Sequence, residues 1–147
     1  MDALELLKQD HQTVKELFEH AEGIEDRKEQ KKVFRQIKTE LDTHARIEET
    51  IFYPAMEKHE ELKDMVLEAI EEHKQVKTLL REIDDLVKDS EKFEPKLTVL
   101  KENVEHHGEE EEEGKMFPKV REIVDRETLE KLGQELERAK GKKRKAA

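Results

Sequence analysis

At 147 residues the chain suits one domain with a real core, and with 46% of residues charged against three prolines and five glycines it reads as long amphipathic elements. Cysteine is absent, so disulfides, thiolate nucleophiles and every cysteine-ligated zinc or iron–sulfur site are excluded, and any metal has to be held by nitrogen and oxygen. The net charge of −10 opposes specific nucleic-acid binding, and no apolar run approaches the ~20 residues needed to cross a bilayer. The opening Met1-Asp2-Ala3-Leu4-Glu5 has neither the basic nor the apolar region of a signal peptide, so the expected setting is the cytoplasm.

Apolar residues recur every three and four positions, which predicts an all-α antiparallel four-helix bundle over residues 1–125. The first helix has Asp2 as its N-cap and a seam of Leu4, Leu7, His11, Val14, Phe18 and Ala21, ending near Gly23. The second runs from Asp26 to Tyr53, where Pro54 is expected to bend or break it, with the seam Phe34, Ile37, Leu41, His44, Glu48, Ile51 and Ala55. A third, from Glu61 to Lys88, carries Leu62, Val66, Ala69, His73, Val76, Leu80, Ile83 and Val87 inward. The fourth begins near Phe93 and reads Leu97, Leu100, Val104, His107, Glu111. Residues 126–147 are expected to form a short fifth helix, with Leu129, Leu132 and Leu136 as its apolar stripe, and a disordered basic tail from Lys140.

Each seam thus places histidine, and two of them glutamate as well, where aliphatic residues belong. The pattern is duplicated: His11, Val14, Lys15 and Leu17 match His73, Val76, Lys77 and Leu79, while Leu41, His44 and Glu48 match Val104, His107 and Glu111. Phe52-Tyr53-Pro54 is echoed by Met116-Phe117-Pro118. His11 to His44 spans 33 residues and His73 to His107 spans 34, so a duplicated helical hairpin brings all six polar groups to one level. Each would be destabilising by roughly one to several kcal/mol if buried unpaired. A metal relieves that penalty, and imidazole with carboxylate suits iron, manganese or zinc, which bundle cores can hold in pairs.

Through Asp10-His11, His44 to Glu49, Phe52-Tyr53-Pro54, His73, His106-His107 and Met116-Phe117-Pro118, residues 1–124 resemble a hemerythrin-like HHE cation-binding domain. The resemblance implies a four-helix bundle around two non-haem iron ions, with manganese or zinc as less favoured occupants. His11, His44, His73 and His107 would be terminal ligands, and Glu48 and Glu111 the bridges. The implied function is binding or sensing of dioxygen, reactive oxygen or nitrogen species, or iron, by a monomer with neither a nucleic-acid nor a membrane partner. Redox turnover of peroxide or nitric oxide stays open as an alternative, as does a helical interaction module holding structural zinc.

Two departures bear on the site. The residue one turn after His73 is Lys77, where oxygen-carrying hemerythrins have a second histidine. His44 precedes its proline by ten residues and His107 by eleven, so the fourth helix carries one extra residue. Spacing back from Pro118 points to Glu112; the unbroken seam Val104, His107, Glu111 points to Glu111, with the slip expected near Gly114. His20, His59 and His106 lie off the seams and are expected to face solvent, His106 being the alternative to His107. Tyr53 is expected as a packed aromatic, with a hydrogen bond to the site as the other reading.

Overall fold

The computed structural model describes the backbone of residues 1–87 and 90–146 and the side chains of 1–87 and 90–141. Helix α1 (Ala3–Glu22) starts at Asp2, whose carboxylate accepts from the Glu5 N–H at 2.9 Å while Glu5 accepts from the Asp2 N–H. This reciprocal cap satisfies donors that have no partner within the helix. Asp26 caps α2 (Arg27–Ile47) by accepting from the Glu29 N–H at 3.1 Å.

The second rod does not break at its proline. After Ile47 the backbone widens into a π turn, Glu48–Phe52, and continues as α3 (Tyr53–Glu57), with Pro54 in the first turn of α3. A proline inside an α-helix clashes with the carbonyl four residues back, and the widened turn just before it relieves that clash. A 3₁₀ turn, Glu60–Leu62, leads into α4 (Lys63–Asp84), which stops short of the expected end; Val87 is exposed and Lys88 lies outside the described residues. The fourth rod repeats the second: α5 (Phe93–Glu105), a π segment His106–Met116, and α6 (Phe117–Ile123), with Pro118 again in the first turn after the widening.

Helix α7 (Arg126–Ala146) is longer than the sequence suggests and carries the basic stretch from Lys140 onward as helix. Asp125 caps it, accepting from the Thr128 N–H at 2.8 Å. It lies against α1 and α2, burying Leu129, Leu132 and Leu136, each of which contributes ~1.5–3 kcal/mol of burial free energy before entropy is counted. A Cβ on Gly133 would sit 2.8 Å from the Asp2 carbonyl carbon, so only glycine lets α7 lie this close to the start of α1.

Helix α1 pairs with α2 and α4 with α5, each pair joined by a short connection that makes it antiparallel. The core is two apolar clusters rather than one. At one end Leu4, Leu7, Ile47, Phe52, Met56 and Val66 pack with α6 and α7. At the other Val14, Phe18, Phe34, Ile37, Leu80 and Leu100 pack together. Between the two lies a layer of buried histidine and carboxylate.

Candidate metal centre

The layer is filled from four rods. His11 comes from α1, His44 from the last turn of α2, Glu48 from the π turn after it, His73 from α4, and His107 and Glu112 from the second π segment. One ligating atom each from His11, His44, Glu48 and Glu112 falls within a 4.8 Å group, and Glu48, His73 and His107 form a second such group. Both glutamates span the groups. Glu48 Oε1 is 3.1 Å from the Nε2 atoms of both His44 and His73, while Glu112 reaches His11 Nε2 at 3.0 Å through Oε1 and His107 Nε2 at 3.5 Å through Oε2.

His11 Nε2 meets Glu112 and His73 Nε2 meets His107 within hydrogen-bond distance, but part of the layer is left without partners. His44 Nε2 and both oxygens of Glu48 are buried without a hydrogen bond, despite the 3.1 Å approaches, and each of the two residues offers a ligating atom within 4.8 Å of those of its neighbours. A buried polar atom without a partner is destabilising by ~1–3 kcal/mol, more when charged, and a cation among these atoms supplies the partner. The donors, imidazole nitrogen and carboxylate oxygen, fit a pair of first-row divalent or trivalent ions.

Each of the four imidazoles turns Nε2 into the layer and sets Nδ1 on a carboxylate outside it. His11 meets Glu113 at 2.6 Å, His44 meets Asp10 at 2.9 Å, His73 meets Glu49 at 2.7 Å and His107 meets Glu72 at 2.6 Å. Such a contact fixes the tautomer, with Nδ1–H donating and the Nε2 lone pair free for metal. The four contacts obey the duplication. The acid preceding the histidine of α1 or α4 orients the histidine of the next rod, and the acid following each inward glutamate orients a histidine of the other half.

Electrostatics tie the layer together. Burial disfavours charge on His44, but Glu48 and Asp10 outweigh it and push its pKa to about 10; Glu112 does the same for His107, and Glu112 with Glu113 for His11, both upward. Burial opposes ionisation of Glu112, yet the His107 charge holds its pKa well below the usual carboxylate range. Burial together with the Glu112 charge raises that of Tyr53.

The hemerythrin HHE cation-binding domain family matches residues 2–120. The chain belongs to that family. Its structure is similar to the crystal structure of a hemerythrin HHE cation-binding domain-containing protein from Mycobacterium kansasii, with a TM-score of 0.87 and 27% identity over 99% of this chain and 89% of that one. No curated protein matches. The fold is thus a hemerythrin-like bundle with an additional C-terminal helix, and its two His/Glu clusters are those expected of a hemerythrin-type di-metal centre. No described helix is long and apolar enough to cross a membrane.

Of the residues expected in this HHE site, His11, His44, Glu48, His73 and His107 are brought together and Glu111 is not. Glu111 points outward to Lys115 at 3.3 Å and His106 at 3.5 Å, while Glu112 is fully buried. The reason is the π segment: the extra residue is absorbed between His107 and Glu112, not near Gly114, so the inward carboxylate sits five residues on. His106 stays on the surface, bonded to Glu110 at 2.8 Å; His20 is exposed and His59 half-buried. Tyr53 fulfils both readings: it is 1% exposed and its hydroxyl donates to Glu112 Oε2 at 2.5 Å, with His107 and His73 Nε2 at 3.2 and 3.3 Å. Lys77, the departure after His73, bonds Glu49 at 2.8 Å and so supports the carboxylate that orients His73.

A cavity of about 50 Å³ opens on the four histidines from the Val14 and Phe18 end, lined by Leu41, Val76, Leu80 and Val104. Gly108 helps form it, for a Cβ there would press on the His11 ring at 3.3 Å.

Proposed function

We propose that the chain is a cytoplasmic, non-haem di-iron protein that binds or senses dioxygen, reactive oxygen or nitrogen species, or iron. His11 and His44 would hold one ion, His73 and His107 the other, and Glu48 and Glu112 would bridge them. The observation that carries this is Glu48, buried with both oxygens unbonded between Nε2 atoms of the two histidine pairs. When bound, the iron pair supplies reversible ligand binding and electron exchange with small oxygen and nitrogen species. The rest is the chain's own work. Asp10, Glu49, Glu72 and Glu113 hold the four rings in register. The cavity is apolar and has room for a diatomic or a peroxide, which supports a small partner over an organic substrate. Large exposed apolar residues are scattered (Met1, Leu67, Val87 and Val99), in keeping with a monomer.

Redox turnover of peroxide or nitric oxide is the second reading, favoured by one group. The Tyr53 hydroxyl stands beside His73 and His107 and donates to Glu112, which puts a proton donor against the polar layer. Metal analysis with visible spectra before and after air and peroxide tests both. Two irons per chain and an oxo-bridged ferric band support the first reading, sustained loss of peroxide over many equivalents supports the second, and a chain that holds no iron overturns both.

A further inference from the structure

We propose that Lys140 is a positioning residue of the metal centre: through Asp10 it holds His44, so the ammonium that α7 carries, and not the apolar docking of the helix, sets the geometry of one half of the site. The inference rests on His44 being a ligand, as proposed above. Lys140 lies one helical turn beyond Leu136, on the face that α7 buries against α1 and α2. Its side chain is only 16% exposed, and its ammonium reaches Asp10 Oδ1, while Asp10 Oδ2 accepts from His44 Nδ1 at 2.9 Å. A carboxylate this buried needs both partners. Without the ammonium, one oxygen of Asp10 is left desolvated, and the carboxylate relaxes by turning toward water, which loosens the His44 ring.

The duplication supplies an internal control. Glu72 stands to His107 as Asp10 stands to His44, but its side chain is more open at 19% exposure, and the nearest cation partner given by the structure is the surface His106 at 3.7 Å. No counterpart of α7 covers it among the described residues. The two halves of the site therefore differ in what braces them. The His11/His44 half answers to the C-terminal helix, and the His73/His107 half does not.

The test uses the full chain, ferrous iron under anaerobic conditions and a competing chelator. Lys140→Met keeps the apolar stem and removes the charge; Lys140→Gln, which keeps a donor without charge, is the second variant should the first not fold. One of the two irons should weaken by roughly tenfold or more in either, the range seen when the partner of a ligating histidine is lost, with Lys140→Arg restoring it. Leu136→Ala, which loosens α7 but keeps the ammonium, should lower the melting temperature and leave both affinities near wild type. Unchanged affinities in Lys140→Met and Lys140→Gln overturn the proposal, as does an equal loss of both irons in the lysine and leucine variants. A wild-type chain that binds no iron overturns it together with the di-iron reading.

Discussion

A buried glutamate bridging two histidine pairs is a different object from its sequence neighbour on the surface. Glu112 accepts from Tyr53 and meets His11 and His107, whereas Glu111 meets Lys115 and His106 at the surface. Glu112→Ala is therefore expected to reduce bound metal below two per chain and to erase the near-ultraviolet band of the ferric form, and Glu111→Ala to leave both intact; the opposite ranking would mean that the π register is wrong. The outer carboxylates act through hydrogen bonds and should give graded effects. Glu72→Gln keeps the shape but loses the charge that orients His107, so metal affinity should fall by about 10–100-fold with stoichiometry preserved at saturation. The four inner histidines were legible because each broke an apolar period. Asp10, Glu49, Glu72 and Glu113 were not, since an acid beside a seam residue reads as a solvated face in a chain that is 46% charged. Their signal was adjacency: each stands next to an inward histidine or glutamate, about 100° around the helix and so turned toward another rod.

Among the elements, the α1 seam, the cap at Asp2 and the apolar faces could be read from the period alone, because propensity and burial agree along them. The widened turns could not. Hydrophobic phase is counted on the assumption of a regular helix, and a π turn shifts the inward face by a residue without leaving a sequence mark of its own. Proline spacing held the information, since Glu48 and Glu112 each precede their proline by six residues. The π turn Glu48–Phe52 corresponds to the later part of the segment His106–Met116, and the earlier part absorbs the extra residue of the second half. Deleting the exposed Glu109, whose side chain meets Lys15 at 3.4 Å, should return the stretch after His107 to α geometry and bring Glu112 in at four residues. The deletion variant is expected to keep two metals and its helical content. Loss of one metal with an unchanged fold would show that the wide turn itself shapes the site. The C-terminal helix was foreseen by its leucine stripe but not in its length, because Gly141 and the basic run from Lys140 argue for a tail, whereas the helix continues to Ala146.

At the scale of the whole molecule, the polar layer cuts the apolar core in two, so folding stability depends on what neutralises that layer. In metal-free protein His11, His44 and His107 contribute to this as cations. The folded-state pKa of His44 is raised from 6.5 to about 10, and those of His11 and His107 also lie above 6.5. A group whose folded value exceeds its unfolded one stabilises fully below the unfolded value and loses that contribution as pH rises through the folded value. The stabilisation from these imidazoles is thus complete below about pH 6.5 and drains away toward pH 10. Asp10, Glu49 and Glu112 are shifted downward, so their contribution is present above their unfolded values near 4 and is lost as pH falls. Bound metal takes the place of the protons on Nε2, releasing them on binding and removing the alkaline loss. Melting temperatures of chelated and metal-saturated protein should therefore diverge as pH is raised from 6 to 9, the chelated form falling and the loaded form holding, and converge toward pH 5 as protons displace metal. Two parallel curves across that range would mean that the layer is satisfied by hydrogen bonds alone, and that metal is not what allows histidine and glutamate to occupy the centre of this bundle.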